Sequence, residues 1–409
     1  MVHRLIRSGA ALLLILAVGL MLHPSSSADA ATPPGVSAWG FNANGQLGDG
    51  TANARIAPVA VNGLSGVASV AAGETHNLAL KTDGTLWAWG DNSSGQLGDG
   101  TTTNRNTPIA IGALGNVTAA AAGNSYSMAL KTDGTVWTWG NNAWGELGDG
   151  TTTNRSTPAM VIGLPEAVAI AAGTGHSLAL TRDGSVWAWG DNVGGDLGDG
   201  TTTQRKTPVA VAGLNGVVAI ATGAFHSLAL KSDGTVWAWG QNSAGQLGDG
   251  TTINRMTATA IRTLTDVSAI SAGAFHSLAL KSDGTVWAWG DNLGGDLGDG
   301  TTIQRMAPVL TSGLTGVIAL AGGHTHTLAL RSDGTVWAWG ANDYGQLGDG
   351  TTTGRSTPIM ISGTSAVSMI GIAAGAFHSL ALVPPPPPTP LPTAIPTITP
   401  RLGYEVTVY

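Results

Sequence analysis

The pattern Trp-Gly-x-Asn-x-x-Gly-x-Leu-Gly-Asp-Gly-Thr occurs seven times in this chain. Its tryptophans stand at Trp39, Trp89, Trp139, Trp189, Trp239, Trp289 and Trp339, a constant step of 50 residues. A second phrase, Ala-Gly-x-x-His-Ser-Leu-Ala-Leu in its commonest form, also occurs seven times, in the copies holding His76, Tyr126, His176, His226, His276, His326 and His378. A period of this length constrains the fold more than any composition does. One unit is too small to bury its own apolar face, so neighbouring units must stack into a propeller, a solenoid or an array.

Each unit holds four short apolar runs bounded by Gly, Pro or Asp. Around Pro208 the runs are Val209–Val211, Val217–Ala221, His226–Leu230 and Thr235–Trp239. The last two flank Lys231-Ser232-Asp233-Gly234, where Asp233-Gly234 favours a tight hairpin turn with positive φ at the glycine. Trp237 and Trp239 are two residues apart and share one face of a strand. Four strands in each of seven units predict an all-β fold, a seven-bladed β-propeller. The ends of the array predict how it closes. The first Trp-Gly strand, residues 36–40, lacks a preceding Asp-Gly partner, and the last partner strand, 378–382, lacks a Trp-Gly strand after it. Pairing of 36–40 with 378–382 completes the ring, with one irregularity near Ser368–Ile372.

Flanking segments differ in kind. Arg4 and Arg7 precede an apolar run from Ala10 to Leu22, and Ala28-Asp29-Ala30 fits a small-x-small cleavage site. Residues 1–30 therefore read as a signal peptide, and the chain as secreted or held at the cell envelope, with no membrane span after cleavage; the alternative is an uncleaved membrane anchor. Residues 33–382 are the propeller, 383–401 a Pro/Thr-rich linker opening with Pro384–Pro388, and 402–409 a short tail. The formal charge is -7, with no basic run, which argues against nucleic acid. The chain has no cysteine, which excludes disulfides and thiolate chemistry.

With these residues in view, the repeats resemble those of the regulator of chromosome condensation family, over about 33–382. The resemblance implies a seven-bladed propeller closed by exchange between the chain ends. The family's exchange-factor members imply a basic tail and a long inserted wedge, and neither is present. Its photoreceptor members imply a tryptophan before the repeated histidine, whereas this chain has Phe225 before His226 and Phe275 before His276. Its secreted bacterial members imply binding of proteins through loops on one propeller face.

Residues that recur in six or all seven units read as scaffold: Trp89, Gly90, Asp99, Arg105, His226, Asp233 and Gly234 stand for their kind. The Trp pairs are blade-to-blade core. Asp99 and Arg105, six residues apart in every copy, form a turn and an ion pair. The histidine hydrogen-bonds neighbouring backbone; one His per blade around a wide ring does not converge on a metal. The acids Asp191, Asp196 and Asp199, and Asp291, Asp296 and Asp299, match no calcium-loop spacing. No metal or cofactor is expected. No catalytic constellation is found, so the chain is read as non-enzymatic.

Function is expected where the copies disagree. Trp144 and Tyr344 occupy a loop slot that is small or polar in the other units, and Phe41, Phe225 and Phe275 stand at other variable positions. Exposed aromatics of this kind anchor protein interfaces. The expectation is a monomeric scaffold that binds an extracellular or cell-surface protein. The alternative is a carbohydrate-binding or hydrolytic propeller acting on extracellular polymers.

Overall fold

The computed structural model describes residues 35–361, 364 and 368–384, so the expected signal peptide, most of the linker and the tail lie outside the described residues. The described chain forms seven four-stranded antiparallel sheets and no α-helix. Blade 1 consists of Val67–Ala72, His76–Lys81, Leu86–Gly90 and Arg105–Ala110, in that order outward from the axis. Blades 2 to 6 repeat it at Val117–Met160, Ala167–Ala210, Val217–Ala260, Val267–Leu310 and Val317–Met360. The innermost strands touch their neighbours all the way round the axis.

Blade 7 is assembled from both ends of the chain. Gly35–Gly40 lies between Arg55–Ala60 and His378–Val383, with Gly371–Ala374 innermost. The pairing runs in unbroken register from Gly35 opposite Val383 to Gly40 opposite His378, as the missing seventh turn predicts. Closure of this kind removes the exposed terminal units an open array would have. The irregularity before closure is real: Ser368 has φ 32°, and the inner strand is cut to four residues.

One strand prediction needs correction. The outermost run near Pro208 is not Val209–Val211 but Arg205–Ala210. Its Arg-Lys-Thr-Pro start is polar because the strand is the blade's exposed edge. Pro208 is tolerated there because an edge residue need not donate to a further strand.

The repeated phrases explain the packing. The second Trp of each strand is fully buried, and its indole N–H crosses to a backbone carbonyl of the preceding blade, as from Trp239 to Asp196 at 2.9 Å. The Ser227 hydroxyl donates to the same carbonyl at 3.0 Å. This double bond to one oxygen recurs around the ring, closing with Trp39 and Ser379 on Gln346. The first Trp of the pair is half-buried at the opposite rim, with Lys231 above the Trp237 ring and Lys81 above Trp87. It therefore contributes less to the core than its partner.

The histidine expectation is also corrected. His76 Nε2 meets the Ser127 hydroxyl of the next blade at 2.9 Å, and His378 Nε2 meets Asn77 Oδ1 at 2.8 Å, so the partner is a side chain and not backbone. Because Ser127 in turn donates to the Gln96 carbonyl, the imidazole must donate from Nε2. Burial holds these rings neutral, with His76 pushed down to about 4 and His226 to about 3. A glycine stands three residues before each histidine for steric reasons: a Cβ on Gly223 would stand 2.1 Å from the His226 ring and 2.6 Å from the Gly273 carbonyl.

Candidate functional site

The two propeller faces are built differently. The lower face carries the Lys-x-Asp-Gly hairpins. The upper face carries the short inner turns of the histidine phrase and the long loops after each Trp-Gly. In those long loops Asp and Arg form the expected scaffold. Asp99 Oδ2 pairs with Arg105 at 2.7 Å, while Oδ1 accepts from the Thr101 amide and hydroxyl. Burial pushes the Asp99 carboxyl up, but Arg105 and Thr101 outweigh it and hold the carboxyl below its ordinary value. The same pair closes each loop from Asp49–Arg55 to Asp349–Arg355.

The inner turns form a continuous belt at the mouth of the axis. Each donates one backbone N–H to the next blade, from Glu74 to the Gly123 carbonyl at 3.2 Å round to Ala376 and the Glu74 carbonyl at 3.3 Å. The belt holds the turn side chains at fixed places. In blades 1 to 3 they are Glu74-Thr75, Asn124-Ser125 and Thr174-Gly175; in blades 4 to 7 they are Ala224-Phe225, Ala274-Phe275, His324-Thr325 and Ala376-Phe377. Within the belt lies a cavity of about 300 Å³, walled on one side by Glu74, Asn124 and Thr174 and on the other by Phe225, Phe275 and His324.

Four of the five aromatic residues singled out from sequence come together here. Phe225 lies 6.2 Å from Phe275 between ring centroids, and Phe275 stacks on His324 at 6.1 Å. His324 leads to Phe377 at 5.5 Å, Phe377 to Tyr344 at 5.3 Å, and Tyr344 to Phe41 at 5.0 Å edge-on. The result is a crescent of six rings over blades 4 to 7. Aromatic contacts at these spacings are mutually favourable and hold one another rigid. Outside the crescent, Ile253, Leu293 and Ile303 are exposed on the same half of the face.

Trp144 stands apart. It belongs to blade 2, is 48% exposed, and leans over Gly175 of blade 3. Tyr344 leans in the same way over Phe377 and Phe41 of blade 7. The two residues therefore share a geometry, but only Tyr344 joins the crescent. Phe377 was missed in the sequence reading, although it fills the same slot as Phe225 and Phe275. The two-residue shift before it hides the alignment.

Beneath the face, three acids occupy a slot that holds glutamine in the other four blades. Gln346 accepts from the Tyr344 amide at 3.0 Å, and Glu146 accepts from the Trp144 amide at 2.7 Å. Asp196 and Asp296 are shorter and are also buried. Burial pushes Glu146 and Asp196 up to about 7 and Asp296 up to about 8, with the charges of Asp191 and Asp291 adding to the two aspartates. Neither Asp296 oxygen has a hydrogen-bond partner. Among the described residues no three His, Asp or Glu side chains are grouped so as to hold a metal ion.

Comparison with known proteins agrees with this architecture. The human WBSCR16 structure superposes with a TM-score of 0.77 at 24% identity, covering 86% of this chain and 99% of that one. Prp20p from Saccharomyces cerevisiae, characterised for its binding to Gsp1p and histones, gives 0.77 at 25% identity, covering 87% and 92%. Yeast RCC1 (Prp20) bound to Kap60 gives 0.78 at 23% identity, covering 94% and 97%. No curated protein sequence matches the chain. Regulator of chromosome condensation (RCC1) repeats match at residues 35–80 and 83–130, and the RCC1-like domain matches at 113–384. With seven closed blades and these matches, the chain belongs to the RCC1-like propeller family.

Proposed function

We propose that this protein is a secreted, non-enzymatic propeller that binds a partner protein through its upper face. The aromatic crescent carries the reading. Six rings, fixed by mutual contact over a rigid belt, offer large apolar area with little ordering cost on binding. Related propellers bind proteins: Prp20p binds Gsp1p and histones, and Kap60 is seen on yeast RCC1. Secretion is supported by the Arg4–Ala30 segment alone, and places the partner outside the cell or on its surface. The hydrolytic alternative has less support. The usual glycoside hydrolase uses two carboxyls across one pocket, and Glu74 is the only carboxyl among the described residues lining the upper mouth.

The test is capture of partner proteins from extracellular and surface fractions by the purified protein and its variants. Phe275→Ala and Tyr344→Ala should each lose the partner, while Trp144→Ala should weaken capture less, because Trp144 lies off the crescent. Retention of every partner by both crescent variants would sink the proposal.

A further inference from the structure

We infer that the upper axial mouth receives a lysine or arginine side chain projecting from the partner protein, with apolar neighbours of that residue lying on the crescent. The inference rests on the reading of the upper face as a protein-binding surface and specifies what that surface takes. Four observations lead to it.

The first is size. A cavity of about 300 Å³ ringed by seven turns admits one long side chain, not a folded element. The second is Glu74. Its backbone N–H and carbonyl are both committed to the belt, so its position is fixed. Its carboxylate has no ion pair: the salt bridges among the described residues are the seven Asp–Arg pairs and Arg331–Asp333. The third is the wall opposite Glu74. Phe225 and Phe275 line the same space, and their apolar rings give the methylene stem of a long basic side chain a surface to lie on while its charged end reaches Glu74.

The fourth is the charge of the whole face. Outside the Asp–Arg pairs and the buried slot acids, the upper face holds Glu74, Asp91, Asp191, Asp291 and Asp343 against Lys206. The lower hairpins, by contrast, alternate signs, as in Lys81 with Asp83 and Lys231 with Asp233. A face with this potential steers a basic segment inward and repels an acidic one. A neutral plug would strip water from Glu74 and return nothing to it, which is costly for a carboxylate.

Peptide titration tests this directly. The probes are acetyl-Gly-Arg-Gly-amide, its lysine analogue and its citrulline analogue, followed by ligand-observed NMR at pH 8 and low salt. The arginine and lysine peptides should bind about tenfold more tightly than the citrulline peptide, the scale of a hydrogen bond to a charged partner. Glu74→Gln, which keeps side-chain size, should erase that preference with an unchanged melting temperature. Phe275→Ala should weaken the basic peptides about two- to fivefold, because it removes part of the wall on which their methylene stems lie. Equal binding of all three peptides, or a preference that survives Glu74→Gln, would overturn the inference. The wider reading fails separately. If the crescent variants lose partner capture but Glu74→Gln keeps it, the basic anchor is wrong and the protein-binding face stands. If the crescent variants capture normally, the face reading falls, and the peptides still report on the mouth.

Discussion

Blades 1 to 3 and blades 4 to 7 present the same backbone and different chemistry. Both halves of the upper face have the same belt, the same Asp–Arg loops and the same indole bonds below. On one half the turns show Thr75, Asn124, Ser125 and Thr174; on the other they show Phe225, Phe275, His324 and Phe377. A seven-fold scaffold has no reason of its own to be lopsided, since every blade packs in the same way. The asymmetry is carried only by side chains that the scaffold does not use. The ring therefore does not require it, which is why the proposed binding function is placed on this face.

The sharpest way to separate surface from support is to titrate the slot acids, two of which lie under blades 2 and 3 and one under blade 5. Their folded values stand above the unfolded carboxylate range, so the native state holds more protons than the unfolded state between about pH 4 and about pH 8. Stability from this source is complete below about pH 4, falls as pH rises, and is fully lost once pH has passed the folded values of about 7 to 8. The Asp–Arg carboxyls, which are lowered, act oppositely and lose their contribution as pH falls below about 4. The triple variant Glu146→Gln, Asp196→Asn, Asp296→Asn should gain on the order of 3 kcal/mol or more at pH 8.5 and almost nothing at pH 4. Chemical denaturation at the two pH values measures it. An equal gain at both would show that packing, and not ionisation, distinguishes these blades.

A smaller effect is expected from breaking the crescent at its middle. Phe377 touches both His324 and Tyr344, so Phe377→Ala divides the arc in two. Partner binding should weaken by about 2 kcal/mol, the usual size of a hot-spot truncation. Thr75→Ala on the polar half should change it by less than about 0.5 kcal/mol. Equal losses in a binding titration would erase the distinction between the halves.

The smallest effect concerns entry to blade 7, which carries Phe377. Ser368 adopts φ 32° where blades 1, 4 and 6 use Gly66, Gly216 and Gly316 in the left-handed region. Ser368→Gly removes a Cβ from a backbone conformation that favours glycine. Thermal unfolding should show a gain of about 0.5–1 kcal/mol. A loss would mean that this blade needs the serine to set its two-residue offset.

Much of this was legible in the sequence, for identifiable reasons. The 50-residue period, the Asp-Gly turns and the unpartnered end strands specify seven blades and their closure, because each is a backbone requirement repeated in every copy. The edge strands were misplaced because Arg205 to Pro208 carries no apolar signal; an edge strand is held by its one neighbour, not by burial. Phe41, Phe225, Phe275 and Tyr344 could be picked out as departures from the repeat, but not as one surface. The pairs Phe225–Phe275 and Phe41–Tyr344 are joined into one arc only through His324 and Phe377. The slot acids were visible as extra acids, but only the fold shows that they replace buried glutamines.

The register of blade 7 has a consequence for orientation. Gly35 and Val383 face each other at the lower end of their sheet, and the strands run from there to the rim where Phe41 and Phe377 sit. Both chain exits thus leave from the side away from the crescent. A stalk or fusion attached to either exit would carry the propeller like a dish on a mast, with the rings turned outward.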